Sequence, residues 1–431
     1  MTKRESELIE LLHKEVKPAL GCTEPIAVAL AAAKAAECFP PEVRKSEPLA
    51  TAVEVSGNIL KNGMGVGIPG TGMIGLNIAA ALGTVCGKSG YGLEVLKDLT
   101  EEDVAAAKLA VKEKRVKIEL KDTPKLLYVK VSVKCGDNSS WAVIEDDHDR
   151  IVEYGFNGKV CRKEGKAAAC EPERKDIKDY NLSVKEILAF AGKADYEDIK
   201  FILQDRDLNL ALAREGLEGN YGLNVGKAIR ENQNEIFGDD FMSFAMGMTA
   251  AASDARMAGC KLPAMSNSGS GNQGITVSMP VIAYALKYGT SDEQLARALI
   301  LSNLVAIHIK GYLGKLSALC GCVIASTGSA CGLVYLQGGG YNEVCAAIKN
   351  MIGNITGMVC DGAKVGCAMK VASGVACAIQ SGVLALRGTC VCETDGIIDN
   401  DIEKTIRNLG EIGSLGMQST DKLIQKIMVC K

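Results

Sequence analysis

The first forty residues carry two helical patterns separated by a polar break. Residues 5–16 place apolar side chains at helical spacing, and residues 27–38 form an apolar, alanine-rich run. Between them lies the segment 21–25, in which Thr23 is the predicted N-cap of the second helix. Cys22 is therefore expected immediately before a helix N-terminus.

From residue 50 the pattern changes to the alternation of apolar and polar positions that is typical of β-strands. A short amphipathic helix is predicted at residues 100–112, and the charged, alanine-rich residues 162–179 are typical of a linker. The predicted strands are residues 50–55, 116–120, 126–134, 140–144, 150–154 and 158–161.

Beyond residue 181 the chain has helical periodicity almost throughout. Low charge density in residues 241–286 and 313–336 indicates that these segments form the core. The pattern predicts an α+β fold with a mainly helical part and a smaller α/β part. The predicted helices are residues 184–191, 196–215, 225–232, 241–257, 281–288, 292–309, 316–336, 341–351, 364–386 and 401–408.

Charge and hydropathy argue against two classes of partner. The chain has 49 basic and 52 acidic residues, a net charge of −3 and no basic stripe, so we predict no nucleic acid partner. Residues 275–286 are too few to span a bilayer, and residues 316–336 contain many small polar side chains, so we predict no membrane span. The polar N-terminal residues are unlike a signal peptide, which favours a cytoplasmic location.

The cysteine content points to thiol or metal chemistry. In a reducing compartment the seventeen cysteines are expected as thiols or metal ligands, and most of them as small buried side chains. Three stand out because they lie in separate segments: Cys22, Cys320 and Cys360. The last precedes the predicted helix 364–386, whose positive end would stabilise a thiolate.

Neighbouring cysteines leave alternatives open. Cys320 and Cys322 are two residues apart on a presumed helix, so they point to nearly opposite faces. Cys360 and Cys367 would lie ~10 Å apart along a helix axis, which is long for two ligands of one small cluster. One thiolate from each segment suits an iron–sulfur cluster with an open iron, although spacing alone does not select the triplet.

Two polar, glycine-rich segments are candidate binding loops. Residues 56–72 contain two amide side chains and a lysine, and their backbone N–H groups can cradle a carboxylate or phosphate. Residues 265–274 combine hydroxyls and amides before an apolar run, as in a ligand-binding loop or a helix cap. Among the histidines only His308 lies near the core, where we expect a satisfied buried side chain rather than a catalytic one.

Five short motifs are spread over the whole chain. They are Gly21-Cys22-Thr23-Glu24-Pro25, Ser56-Gly57-Asn58 with Lys61-Asn62, Ser268-Gly269-Ser270-Gly271-Asn272-Gln273-Gly274, Leu319-Cys320-Gly321-Cys322 and Cys360-Asp361-Gly362-Ala363-Lys364. In this combination and order they resemble the L-cysteine desulfidase family, the single-chain relatives of the iron–sulfur L-serine dehydratase alpha chain.

The resemblance implies an oxygen-sensitive 4Fe–4S enzyme without pyridoxal phosphate. Such an enzyme converts L-cysteine and water to pyruvate, ammonia and hydrogen sulfide. The cluster cysteines of the family correspond to Cys22, Cys320 and Cys360, and Cys22 marks the branch that acts on cysteine. The implied partner is a small amino-acid substrate.

The resemblance also suggests roles around an open, Lewis-acidic iron. Lys364 is a candidate for the base that removes the α-proton, and a surface or capping lysine is the alternative. The tail residue Cys430 is a further candidate ligand of the open iron. The side chains predicted to hold the substrate carboxylate and amine are Ser268, Ser270, Asn272, Asn58, Lys61 and Asn62.

A cluster shared by Cys22 and Cys360 requires the N-terminal helices to pack on the C-terminal ones. We therefore predict a helical catalytic domain of residues 1–45 plus 175–431, with residues 46–174 inserted as an α/β domain. Its glycine- and alanine-rich helices make a homodimer reasonable.

Three other functions compete with cysteine desulfidation. The first is an L-serine dehydratase-type reaction. The second is a pyridoxal-phosphate β-eliminating lyase, with residues 338–340 as a phosphate cup. The third is a non-catalytic, thiol-rich metal- or redox-sensing protein.

Overall fold

The structure is a computed structural model that describes residues 2–44, 47–163, 176–231, 236–314 and 317–430. Most of the predicted linker and the first residue of the predicted helix 316–336 lie outside the described residues. The α-helices of the described residues are α1 (Lys3–Glu15), α2 (Thr23–Glu37), α3 (Pro41–Arg44), α4 (Gly57–Gly63), α5 (Leu76–Cys86), α6 (Glu101–Lys112), α7 (Val184–Lys193), α8 (Tyr196–Ile199), α9 (Gln204–Glu218), α10 (Val225–Glu231), α11 (Phe241–Met257), α12 (Gly271–Tyr288), α13 (Asp292–Leu313), α14 (Gly321–Leu336), α15 (Tyr341–Ile355), α16 (Cys367–Leu386), α17 (Ile402–Glu411) and α18 (Gln418–Val429).

The strands form one large sheet and two small ribbons. They are β1 (Val16–Ala19), β2 (Ala50–Val55), β3 (Gly67–Ile68), β4 (Met73–Ile74), β5 (Val116–Leu120), β6 (Tyr128–Cys135), β7 (Asn138–Glu145), β8 (Ile151–Phe156), β9 (Lys159–Lys163) and β10 (Ala264–Asn267). Short 3₁₀ or π-helical segments add Ser89–Glu94, Ile177–Tyr180, Lys200–Leu203 and Ile412–Gly416. The mainly helical α+β fold predicted from the sequence is confirmed.

The large sheet has the strand order β5-β2-β6-β7-β8-β9. Strands β2 and β5 are parallel, and every other neighbouring pair in this sheet is antiparallel. Alternate residues of β6 are buried, as the period-2 pattern requires, and Val129, Val131 and Val133 are fully buried. This face of the sheet packs against α2.

Helix α2 packs into the core of the sheet unit. Its apolar residues share one hydrophobic cluster with β2, β6 and α5, and Gly83 lies against the backbone of Ala29, where a side chain would collide. Residues 26–39 thus pack with the sheet, although the predicted boundary at 46 assigns them to the helical domain. The packing of α2 differs from the predicted boundary because this helix is apolar on almost every side, so both the sheet unit and the helical unit can bury it.

The helical unit is built around α13. This helix packs against α12, α14 and α17, and α14 in turn packs against α15 and α16. Among the described residues one helix, α16, has the length and apolar composition of a membrane span, yet half of it is buried against its neighbours. A core helix of a helical protein has the same properties.

Two contacts at the chain ends hold the units together. Strand β1 pairs with β10 antiparallel, and α18 packs on α4. The ammonium of Lys61, which is almost fully buried, pairs with Asp421 at 2.5 Å. The end of α1 and the start of α2 are therefore fixed on the helical unit beside α4.

Candidate functional site

A cavity of about 140 Å³ lies where the sheet unit meets the helical unit. Its wall combines thiols, cations and polar side chains from α2, α4, α11, α12, α13, α14 and α16. The residues that line it are Cys22, Thr23, Glu24, Asn62, Arg256, Met257, Gly269, Ser270, Asn272, Gln273, Lys310, Ser317, Leu319, Cys320, Gly321, Cys322, Cys360, Gly362, Ala363, Cys367, Lys370 and Val371. All three predicted cluster cysteines are among them.

Cys320 and Cys360 are brought together by backbone pairing. An isolated antiparallel bridge joins Leu319 to Val359. On either side of it, the Cys320 N–H donates to the Met358 carbonyl at 2.9 Å, and the Cys360 N–H donates to the Ala318 carbonyl at 2.7 Å. The two thiols therefore sit on neighbouring strands of a short ribbon, although forty residues separate them in sequence.

Cys22 enters the cavity at the N-terminus of α2. It is the N-cap residue, whereas the predicted N-cap Thr23 is the first helical residue. The hydroxyl of Thr23 donates to the Gly269 carbonyl at 3.3 Å and to Glu24 at 3.2 Å. This link holds the start of α2 against the loop that precedes α12.

The neighbouring cysteines also line the cavity, and the structure corrects the helix positions predicted for them. Helix α14 begins at Gly321 with Cys320 as its N-cap, and α16 begins at Cys367, so Cys360 lies outside the helix. Their separation along a helix axis, predicted from the sequence, therefore does not apply, because Cys360 and Cys367 do not lie on one helix. Cys322 donates its thiol to the Lys370 carbonyl at 3.2 Å.

Burial favours the neutral thiol form of Cys22 and Cys320. Removal from water raises the pKa of Cys22 to about 11, with Arg256 opposing the shift, and raises that of Cys320 to about 12. A bound metal centre favours the thiolate form. Metal binding at this site would therefore release protons.

The donor set fits an iron–sulfur cluster better than a single ion. Among the described residues, no three His, Cys, Asp or Glu side chains are grouped closely enough to hold one metal ion. The thiols of Cys22, Cys320 and Cys360 nevertheless line one cavity, and thiolates are the usual ligands of iron–sulfur clusters. A cluster of several irons extends further than one ion, so its ligands stand further apart.

Arg256 is the principal cation of the cavity wall. It is 4% exposed, and within the described residues no acidic side chain forms an ion pair with it. Its Nη2 donates to the Gly21 carbonyl at 2.9 Å, whereas its Nε has no partner among the described residues. A side chain at Gly271 would collide with the guanidinium, so this glycine permits its position. Its Nη1 lies 3.4 Å from both Asn272 Oδ1 and Met257 Sδ, so a carboxylate would supply the acidic partner that this buried guanidinium lacks among the described residues.

Lysines near the cavity differ in their electrostatic surroundings. Lys370 donates to the Val359 carbonyl and to Asp361, both at 2.6 Å, and this ion pair raises its pKa although burial opposes the shift. Lys364, the predicted base, pairs with Asp361 at 2.5 Å and does not line the cavity. Burial lowers the pKa of Lys310 to about 8, although the nearby Cys360 opposes the shift.

The predicted substrate-binding residues divide into two groups. Asn62, Ser270 and Asn272 line the cavity. The others lie elsewhere because local partners engage or bury them. Those residues are Lys61, paired with Asp421; Ser268, whose hydroxyl donates to Asn267 at 2.9 Å; and Asn58, which is buried on α4.

Several polar residues of the cavity were not predicted from the sequence as site residues. Arg256, Lys310 and Gln273 each sit in or beside a long apolar helix. An isolated charge inside an apolar helical run is the signal that could have identified the first two, because such a charge requires a partner or a ligand.

His308, in contrast, pairs with Glu403 at 2.7 Å and is a satisfied buried histidine, as predicted. Residues 338–340 lie between α14 and α15 and do not line the cavity.

Comparison with known proteins identifies the family. The chain is 49% identical to a UPF0597 protein of Parabacteroides distasonis over 427 residues, 99% of this chain and 98% of that protein. It is 49% identical over 428 residues to one of Oleidesulfovibrio alaskensis, with 99% and 98% coverage, and 45% identical over 425 residues to one of Shewanella pealeana, with 98% of each chain covered. A family model for the serine dehydratase alpha chain matches residues 90–426, which include Cys320 and Cys360. The chain therefore belongs to the serine dehydratase alpha chain family, among its UPF0597 members.

Proposed function

We propose that this protein is an iron–sulfur-dependent carbon–sulfur lyase that converts L-cysteine and water to pyruvate, ammonia and hydrogen sulfide. The observation that carries the proposal is one cavity lined by three thiols from distant segments and by a buried guanidinium that has no acidic partner among the described residues. Membership of the serine dehydratase alpha chain family supports a lyase reaction on a small amino acid.

Cys22, Cys320 and Cys360 would hold a 4Fe–4S cluster at the cavity wall. When bound, the cluster supplies a Lewis acid at an iron without a protein ligand. The ligand cysteines come from α2 and from the 319–359 ribbon, so both units must stay docked to keep them together. Cluster binding and docking of the two units are therefore coupled.

Arg256 is the proposed anchor of the substrate carboxylate. Its Nε faces no protein partner, and its Nη2 is held by the Gly21 carbonyl, so the guanidinium is pre-positioned before substrate binds. A carboxylate bound there lies next to the start of α2 and thus next to Cys22. The α-carbon of the substrate is thereby held within the thiol-lined part of the cavity.

Lys310 is the proposed base, in place of Lys364. Lys310 lines the cavity, which Lys364 does not, and burial lowers the pKa of Lys310 to about 8. The neutral amine takes the α-proton, and the bond between the β-carbon and sulfur breaks as the sulfur leaves as hydrosulfide. The remaining aminoacrylate takes up water and yields pyruvate and ammonia.

Anaerobic turnover tests the proposed reaction. Protein reconstituted with iron and sulfide should release hydrogen sulfide and pyruvate from L-cysteine in equal amounts, with no pyridoxal phosphate added. L-Serine is assayed in parallel, because the matched family is named for its dehydration. A loaded protein that releases neither product from either amino acid would refute a lyase function and would favour metal or redox sensing.

The pH profile tests the role of Lys310. Because the free amine is the active form, kcat/KM should rise with pH and level off above about 8. Lys310→Met should lower kcat by about 10²- to 10⁴-fold and remove this rise, with iron content unchanged. Lys364→Met serves as the control and should retain the wild-type profile. If Lys364→Met lowers kcat as much as Lys310→Met does, Lys364 is again the candidate base.

A further inference from the structure

Gln273 presents an acceptor to the cavity that no group of the described residues satisfies. The side chain is 1% exposed and lines the cavity close to Gly321. Its Nε2 donates to Asn267 Oδ1 at 2.7 Å, whereas Oε1 has no hydrogen-bond partner among the described residues. A buried polar atom left unpaired is costly, which points to a ligand that completes it.

The orientation of this amide is set by a chain of buried amides that begins at Asn303. The Nδ2 of Asn303 donates to the Leu299 carbonyl and to Asp205 Oδ2, each at 2.9 Å. A backbone carbonyl can only accept, so this side of Asn303 must carry the nitrogen, whatever the protonation state of Asp205. The Oδ1 of Asn303 is therefore an acceptor.

The same reasoning extends to Asn267 and then to Gln273. Asn267 Nδ2 donates to Asn303 Oδ1 at 2.8 Å, so its Oδ1 must accept. That oxygen receives hydrogen bonds from Gln273 and from the Ser268 hydroxyl, the latter at 2.9 Å. A flipped Gln273 would place two oxygens in contact. The amide is thus held with its oxygen toward the cavity.

We propose that Gln273 Oε1 accepts a hydrogen bond from the α-ammonium group of the substrate. This inference rests on the proposed function, because it assigns one group of the same amino acid to one wall of the cavity. The cations Arg256 and Lys370 repel an ammonium, whereas Glu24, which also lines the cavity, attracts one, and Gln273 Oε1 adds a fixed acceptor that has no hydrogen-bond partner among the described residues. Gln273 is accordingly a specificity residue, and Asn267 and Asn303 position it.

Two thiols that each lack one group of L-cysteine separate this role from a structural one. Cysteamine has the amine without the carboxylate, and 3-mercaptopropionate has the carboxylate without the amine. In the anaerobic, cluster-loaded protein, Gln273→Met should weaken cysteamine binding about 10- to 100-fold, and 3-mercaptopropionate binding about twofold at most. Calorimetric titration measures both affinities without turnover.

A second variant keeps the test decisive if Gln273→Met does not fold. Gln273→Leu also removes the acceptor and places no second oxygen beside Asn267 Oδ1, so it should lower the ratio of cysteamine to 3-mercaptopropionate affinity, as Gln273→Met does. Equal weakening of both thiols by either variant, or an unchanged ratio, would overturn the assignment. Wild-type protein that binds both thiols but turns over neither amino acid would count against the lyase proposal and leave the binding ratio interpretable.

Discussion

Replacement of Cys360 by serine should remove the iron–sulfur cluster and reduce lyase activity to background. We expect anaerobically prepared wild-type protein to contain about four irons and four acid-labile sulfides per chain, and the variant to contain little of either. The reason is geometric: backbone hydrogen bonds fix Cys360 and Cys320 on one ribbon, so loss of either thiol removes one member of a pair that the fold holds together. Cys22→Ser and Cys320→Ser should behave in the same way.

Two other cysteines of the cavity serve as controls for this experiment. Cys322 and Cys367 line the same wall, yet their thiols donate to backbone carbonyls, of Lys370 at 3.2 Å and of Gly362 at 3.8 Å. Cys322→Ala and Cys367→Ala should keep the iron and sulfide content and the broad visible absorbance of the cluster. If either control loses the cluster while Cys320→Ser or Cys360→Ser retains it, the ligand assignment is wrong.

The sheet and most helices could be predicted because local periodicity specifies them. Strands β2 and β5 and helix α11 have the predicted bounds, since alternation and helical spacing depend only on neighbouring residues. Strands β1 and β10 were not predicted. Their pairing joins residues about 250 positions apart, and no local pattern records such a partner.

In the candidate site, too, residues marked by a local motif could be predicted, whereas contacts between residues distant in sequence could not. The three cysteines could be selected because each stands in a recognisable segment, and all three line the cavity. Lys61 and Lys364 were also candidate site residues, but they pair with Asp421 and Asp361 and do not line the cavity. An ion pair with a residue remote in sequence, such as that of Lys61, can be seen only once the chain is folded.

The polar wall of the cavity also depends on a glycine whose structural role could not be predicted from the sequence. Gly271 belongs to the segment 265–274, for which the sequence predicts a binding loop or a helix cap, and in the structure it is the first residue of α12 and lies against the guanidinium of Arg256. Its missing side chain allows a cation from α11 to reach the same cavity as Ser270 and Asn272. In the proposed function, the glycine-rich motif would therefore set where the substrate carboxylate binds, as well as capping the helix.

Replacement of Arg256 by glutamine should lower kcat/KM for L-cysteine by about 10²- to 10³-fold, through loss of carboxylate binding. The guanidinium is buried, and no acidic side chain of the described residues pairs with it, so the substrate supplies its counter-charge. Binding of 3-mercaptopropionate should weaken to a similar extent, whereas cysteamine binding should change little. This is the opposite of the pattern expected for Gln273→Met.

The hydrogen bond from Arg256 to the Gly21 carbonyl requires a check on the cluster. Because this bond lies next to Cys22, a variant that loosens the start of α2 would lose iron as well as activity. We therefore compare Arg256→Gln at matched iron content with Arg230→Gln, which removes a guanidinium from the neighbouring helix α10, where it lies 3.9 Å from Asp239. Arg230→Gln should retain both thiol affinities. If Arg256→Gln keeps its iron and still binds 3-mercaptopropionate as tightly as wild type, the carboxylate binds elsewhere in the cavity, with Lys370 the next donor to test.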